Sequence, residues 1–515
     1  MNILKTSAPT DKVPASTGKA VPPELLHDES RMEGKADAVE FPESTQDVSA
    51  ILNAASSEGK NVTISGGKTG IAGGAVPESG LLISTSKMKK IFGINDDGAG
   101  NVSISCQCGA SLDEINKFIR REKKGFFFPP DPTETSASAG GMASCNASGA
   151  HTFSFGPTRN YVNSMTVVLA NGGILKLKRG EAKAAPKDNS FVISHFDGQK
   201  KEFKASMRPQ PATKNAAGYF SGKEIDAIDL FIGSEGTLGL ITEIEFRLIP
   251  CPEAEFNTFF FLSSEAAAIE LTGKLRCAAK SSGITAIEYF DPGALELLRE
   301  RRLKLGPASG VPPGMPEDKK TAGIYIDTAC AKKDVKSNIK LLLDISKNLE
   351  KGSLITAWAA FDKDERERLK KFRHALPETV NSLIAERRKL HPALTKLGTD
   401  MAVPDGCLEE IMKFYREKLD SHNLEYVIFG HIGNNHVHVN ILPQNMEEYN
   451  LGKKLYMEFA VKVLEMKGSI SAEHGIGKLK KNFLRLMLGD DGINEMKAIK
   501  KAFDPDWRLG INTLF

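Results

Sequence analysis

The amino-acid sequence predicts an α+β protein of several domains. Three observations carry that reading. Strand-type apolar runs and amphipathic helical stretches are interspersed along the whole chain of 515 residues, with turn residues between them. At roughly 150 residues per domain the length allows two to four domains with ample buried core. Glycine-dense segments follow apolar strands at several places, the pattern of a mixed fold whose loops approach a ligand. Charge adds little: 68 basic and 65 acidic residues leave a net charge of +3 with no long single-sign block, so nothing argues for nucleic acid. The seven cysteines are scattered without a C-x-x-C pair, which indicates neither a disulfide framework nor a cluster. A reducing, cytoplasmic setting is the simplest expectation. The richest apolar stretch, "FNTFFFLSSEAAAIEL", is broken by Ser263, Ser264 and Glu265, so no membrane span is expected.

Taken in order, residues 1–25 mix Lys, Thr, Pro and Ser without a signal-peptide core and read as a disordered or draped arm. Ser44 and Thr45 can cap a helix running through Val48, Ile51, Leu52 and Ala55, and a strand follows at Val62 to Ser65. Further strands are expected at "GLLIST", "NVSISCQC", "NSMTVVLA", "GILKLK" and "GLITEIEFRLIP", with a helix at "SLDEINKFIRREKK". That mixed unit ends near Pro250. A second unit opens at "EFNTFFFL" and alternates helices ("DVKSNIKLLLDISKNLE", "LEEIMKFYREKLDSH") with strands ("AGIYIDTA", "LITAWAAF", "EYVIFGHI"). The segment "KLGPASGVPPGMPEDKKT" reads as a surface loop.

The segment "ISGGKTGIAGGAVP" carries Gly66, Gly67, Gly70, Gly73 and Gly74 directly after a strand. Such density lets backbone N–H groups turn onto phosphate oxygens. It is neither a G-x-G-x-x-G fingerprint nor a P-loop, because Val62 stands where the first P-loop glycine is required. "PPDPTETSASAGGMASCNASGA" and "GSEGTLGLIT" share the same small, hydroxyl-rich character. Each alone could be a tight turn; three together are hard to read as turns alone and point to a bound ligand.

With these segments the chain resembles the vanillyl-alcohol oxidase/p-cresol methylhydroxylase (PCMH) type of FAD-binding domain. The resemblance implies two FAD-binding subdomains over 36–250, after an arm over 1–35. A cap for substrate and metal would then follow over 251–470, of the FAD-linked oxidase C-terminal kind, and 471–515 would return to the flavin site. It also implies which residues hold non-covalent FAD. Gly66, Gly67, Thr69, Gly70, Ile71, Gly73 and Gly74 would line the pyrophosphate. Pro130, Thr135, Gly140, Gly141, Ser144, Asn146, Ser148 and Gly149 would line the flavin and ribityl chain. Glu235, Gly236, Thr237, Gly239, Ile241 and Thr242 would complete the site, with Asn512 from the C-terminal end. Lys68 departs from the small residue that such loops more often carry, and His151 reads as an isolated core or surface histidine.

"YVIFGHIGNNHVHVNILP" reads as two strands joined at Gly433, Asn434 and Asn435. The period of two sends His436, His438 and Asn440 to one face. Three of the ten histidines fall here, which suits a zinc, manganese or iron ion better than a solvated face. Near the end, "SAEHGIG" sets Glu473 beside His474. An extended backbone would throw the two side chains to opposite sides, Glu473 toward the metal and His474 free.

These two segments resemble the signatures of FAD-linked D-2-hydroxyacid dehydrogenases, the group of D-lactate, glycolate and D-2-hydroxyglutarate dehydrogenases. Carried over by residue, His431, His438 and Glu473 become ligands of a divalent metal, zinc first and manganese or iron as alternatives. His474 becomes the base, Asn440 and Arg373 substrate contacts, and Lys396 lies near the position of a distal-carboxylate lysine. Asn434, Asn435 and His436 depart from the commoner turn, so His436 competes as a ligand. The positions of the distal-carboxylate threonine and lysine hold Pro377 and Gly398, which favours D-lactate among the 2-hydroxy acids. Electrons would pass to an electron-transfer flavoprotein, an iron-sulfur subunit or a quinone system, which leaves peripheral membrane association and a homodimer open. Alternatives are a non-redox flavoenzyme resembling alkylglycerone-phosphate synthase and a flavin-binding subunit without activity of its own.

Overall fold

A computed structural model describes residues 3–9 and 20–515. The first elements follow their local chemistry. Ser44 caps the helix Thr45–Ser57 in a reciprocal capping box with Asp47, and Ser111 does the same with Glu114 for the helix Leu112–Glu122. Two orphan N–H groups are satisfied at each start. The helix Thr45–Ser57 buries Val48, Ile51, Leu52 and Ala55, the face its spacing predicts.

That helix lies beside a small parallel sheet of Ala38–Glu40, Leu81–Ser84 and Val62–Ser65, with Leu81–Ser84 in the centre. The strand Leu81–Ser84 is buried at every position, as expected for a parallel strand covered on both faces. The first glycine loop leaves the end of Val62–Ser65.

A nine-stranded sheet forms the larger part of the first domain. At its centre Leu240–Pro250 pairs antiparallel with Val102–Gln107 on one side and Val162–Val168 on the other. The expected arm departs from its reading here. Ile3–Ser7 is a strand, parallel to Ser190–Ser194 and antiparallel to Ile174–Lys178, with Leu4 buried. Leu4 supplies an apolar inward position, and the sheet supplies partners on both edges. Arm residues 1–2 and 10–19 lie outside the described residues.

The second unit is built on an antiparallel seven-stranded sheet. Its order runs Leu354–Ala360, Ala254–Leu262, Ala322–Cys330, Ile284–Phe290, Tyr426–Gly430, His438–Ile441 and Leu397–Gly398. Phe259, Phe290 and Phe372 form an aromatic cluster between this sheet and the long helix Lys363–Arg388. That helix carries Pro377 in its interior. Among the described residues no helix is long and apolar enough to cross a membrane.

Candidate active site

The expected hairpin is present. Tyr426–Gly430 pairs with His438–Ile441 in register from Tyr426↔Ile441 to Phe429↔His438, and Asn435 takes the left-handed conformation in the connection. Asn tolerates that conformation better than most residues. The connection folds His436 back toward its neighbours. His431, His436, His438 and Glu473 each offer a ligand atom, all within 4.8 Å of one another.

Neighbouring groups fix the rings. Glu288 Oε1 lies 2.6 Å from His431 Nδ1, leaving Nε2 of that ring 3.3 Å from Glu473 Oε1. Thr399 O lies 2.8 Å from His438 Nδ1, which leaves Nε2 free. A carboxylate or carbonyl on the far nitrogen is the arrangement that orients and strengthens an imidazole ligand. His436 is fully buried and neither ring nitrogen makes a hydrogen bond, although Nε2 lies 3.3 Å from Asp400 Oδ1. An unsatisfied buried imidazole is costly unless something binds it. Burial, reinforced by the neighbouring histidines, pushes His436 down to about 3 and His438 to about 4. Both are therefore neutral at pH 7, the form that ligates a metal. Burial would lower His431 too, but Glu288 and Glu473 raise it to about 9. The donor set fits a divalent transition ion. One cation already sits beside it: Lys214, its side chain 4% exposed, donates to Glu473 Oε1, and to Gly149 O at 3.1 Å.

Glu473 and His474 do not lie on an extended strand as expected. They sit in a bend whose two N–H groups both donate to one buried carboxylate, Glu473 N to Asp400 Oδ1 and His474 N to Asp400 Oδ2, each at 3.0 Å. Asp400 also accepts from Ser471 Oγ and Lys480 Nζ, both at 2.7 Å. Gly475 and Gly477 follow with positive φ of 72° and 52°, and Ile476 N and Gly477 N donate to the Glu235 carboxylate at 2.8 and 2.7 Å. The bend sends Glu473 to the histidines and stacks His474 on His438, with ring centroids 5.6 Å apart. His474 Nδ1 lies 3.4 Å from Asp400 Oδ2. Burial lowers His474 to about 4; Asp400 opposes and Lys480 assists.

The three glycine segments converge on one cavity of about 330 Å³, and Glu473 and His474 border it as well. Of the residues expected to hold FAD, Gly66, Gly67, Thr69, Gly70, Ile71 and Gly74 border it from the first segment. Gly140, Gly141, Ser144 and Ser148 do so from the second, and Glu235, Gly236, Gly239 and Ile241 from the third. A side chain on Gly70 would meet no atom within 4 Å, so the backbone faces open space at this point of the wall. Such a cradle fits an extended dinucleotide.

The other expected contacts do not border the cavity. Gly73 packs under Met32, and Gly149 packs against Asp131. Asn146 accepts from Arg159 N, Thr237 bonds Ser234 O, Thr242 bonds Thr166 O, and Asn512 donates to Glu78 at the surface. Pro130 is buried, and Thr135 O accepts from Asp113 N. Arg373 is bound to Glu288, with Nε and Nη2 at 3.2 and 3.1 Å, so it supports the hairpin from behind. Burial would raise Glu288, but Arg373 and His431 hold it at about 2. Asn440 is buried, with Nδ2 3.1 Å from His438 O, and Lys396 is exposed on the segment before Leu397–Gly398. His151 is not isolated: its two nitrogens lie 2.6 Å from Asp131 and 3.0 Å from Asp327, bridging the two units. Sequence reading missed Asp400, Glu288 and Lys214, each far in sequence from the group it serves and embedded in no motif.

Two family models cover most of the chain: an FAD binding domain over residues 36–178 and the C-terminal domain of FAD linked oxidases over 254–510. The glycolate oxidase subunit GlcD of Bacillus subtilis is 29% identical, over 91% of this chain and 87% of its own length. A D-lactate dehydrogenase of Anaerostipes hadrus is 27% identical, over 96% of this chain and 92% of its own. A D-2-hydroxyglutarate dehydrogenase of Stutzerimonas stutzeri is also 27% identical, over 93% and 90%. In fold, p-cresol methylhydroxylase matches with a TM-score of 0.66 at 15% identity, over 95% of this chain and 92% of that one. An alkyldihydroxyacetonephosphate synthase matches with a TM-score of 0.63 at 17% identity, over 93% and 76%. With its glycine-walled cavity and both domains in this order, the chain belongs to the FAD-linked oxidase family and is a flavoprotein oxidoreductase with a PCMH-type FAD-binding domain.

Proposed function

We propose that this protein oxidises a D-2-hydroxy acid, D-lactate before D-2-hydroxyglutarate or glycolate, to the 2-oxo acid. One observation carries the reading: neighbouring residues serve two centres, Glu473 joining the histidine cluster while His474 faces the cavity walled by the FAD segments. His431, His438 and Glu473 would hold the divalent ion, zinc before manganese or iron, with His436 as a fourth donor. Bound there, the ion would act as a Lewis acid on the substrate's carboxylate and α-hydroxyl, and FAD would take the α-hydrogen as hydride.

The chain's own residues supply the rest. Asp400 faces His474 Nδ1, so that nitrogen keeps its proton and Nε2 is left bare to accept the hydroxyl proton. Lys480 holds Asp400, and the Asp400 carboxylate faces the ring and stabilises the imidazolium that forms. Asn440 lies on the strand that carries His438 and is assigned a substrate contact. Arg373 is held by Glu288 through Nε and Nη2 and so supports His431, and its remaining N–H groups are assigned the substrate carboxylate. Gly398 and Pro377 bring no cation to a distal carboxylate, which favours a monocarboxylate.

The electron acceptor is an electron-transfer flavoprotein, an iron-sulfur subunit or a quinone system, reached from a cytoplasmic enzyme, and a homodimer is compatible with this arrangement. Anaerobic mixing of metal-analysed protein with D- and L-2-hydroxy acids tests the reading. D-lactate should bleach the oxidised flavin band and L-lactate should not. Bleaching by no 2-hydroxy acid would sink the proposal and return the alkylglycerone-phosphate synthase type of chemistry.

A further inference from the structure

We infer that the segment 22–34 is a strap over the bound cofactor, and that Asp28 on it accepts a hydrogen bond from a hydroxyl or N–H group of FAD. The strap is a tight loop. His27 bridges Glu33, Gly34 N donates to Leu26 O at 2.8 Å, and Arg31 N donates to Asp28 O at 3.1 Å. It is fastened along the first glycine loop at successive points. Lys68 Nζ donates to Glu24 O, and Glu29 N donates to Lys68 O at 3.3 Å. Met32 Sδ fills the space where a side chain on Gly73 would stand, and Lys35 N donates to Pro77 O at 2.9 Å. The lysine that departs from a small residue in this loop therefore has a task, which is to hold the strap.

Asp28 is the residue this fastening delivers to the cavity. It is 5% exposed and borders the same space as Gly66, Thr69 and Gly141. Its Oδ1 accepts from Ser30 N at 2.9 Å, whereas Oδ2 is buried without any partner. A buried carboxylate oxygen left unpaired costs more than most single interactions return, so a donor belongs in the cavity at this point. Phosphate oxygens only accept at neutral pH and are excluded by their own charge. FAD carries donors elsewhere, on its ribityl and ribose hydroxyls, its flavin imide and its adenine amino group. Asp28 thus selects a neutral donor group of the dinucleotide, while the glycine loop below it presents backbone to the phosphates. The inference rests on the FAD-binding assignment and is independent of which hydroxy acid is oxidised.

The test uses holo-protein and reads cofactor release. Flavin fluorescence after dilution should show FAD leaving Asp28→Asn about 10-fold faster or more, and Asp28→Ala at least as fast, the loss expected for a hydrogen bond to a charged group. Thermal midpoints measured against added FAD separate this from a structural effect. The variant midpoint should fall progressively further behind the parent's as added FAD rises, because the interaction lost is one that the bound state makes. An unchanged release rate, or a midpoint lowered equally at every FAD concentration, would show that Asp28 merely shapes its own turn and would overturn the inference.

Discussion

At the scale of single residues, Asp400 is what lets an acid and a base adjacent in sequence serve different centres. Its two oxygens take the N–H groups of Glu473 and His474, so the bend is held from beneath while both side chains reach the cavity. Replacing His474 by Ala should leave FAD bound and slow flavin reduction by about 100-fold or more, the usual share of a positioned base; stopped-flow absorbance at full cofactor occupancy measures it. Glu288→Gln removes the charge behind His431 and should weaken metal affinity about 10- to 100-fold, read by competition with a chelator. Glu235 titrates for a different reason. Burial raises it from 4.5 to about 7, against the N–H groups of Ile476 and Gly477. Because the folded state holds that proton more tightly, its stabilising share is complete below about pH 4.5 and is lost as pH rises through about 7. Thermal midpoints should therefore fall across that window, and Glu235→Gln should flatten the fall.

At the scale of elements, legibility followed the range of the interactions that decide each one. The capped helices and the hairpin are local, so a capping serine and a period of two were enough to find them. The bend at Glu473 was misread as extended because its cause, Asp400, sits 73 residues away. The strand Ile3–Ser7 was missed because its apolar pattern is short and its partners lie in Ile174–Lys178 and Ser190–Ser194. The helix Lys363–Arg388 carries a proline where a helix interior normally excludes one, yet it positions Arg373 behind the histidine cluster. Its anchor is Phe372, fully buried, stacked on Phe290 at 5.6 Å and edge-on to Phe259 at 5.2 Å. Phe372→Ala should cost about 3–5 kcal/mol of unfolding free energy in denaturant titration, and should loosen the Arg373–Glu288 support with it.

At the scale of the molecule, the candidate site lies where the FAD-binding unit, the seven-stranded sheet and the C-terminal segment meet. The glycine segments were legible because a backbone that must approach a ligand can be built only from small residues, and most of the residues named in them border the cavity. Asn146, Thr237 and Thr242 came with the same motifs but hold the loops together from behind. His151 bridging Asp131 and Asp327, and Lys214 reaching Glu473, were invisible because each joins groups from separate units. The proposed centre is two imidazoles from the hairpin and one carboxylate from the C-terminal segment, holding a divalent ion beside the flavin site. Metal analysis of purified protein and of Glu473→Gln, at equal FAD content, tests it most directly. The parent should carry close to one zinc, manganese or iron per chain, and the variant should lose most of it with the flavin retained. A parent without stoichiometric metal that still oxidises a 2-hydroxy acid, or a variant that keeps its metal, would contradict it.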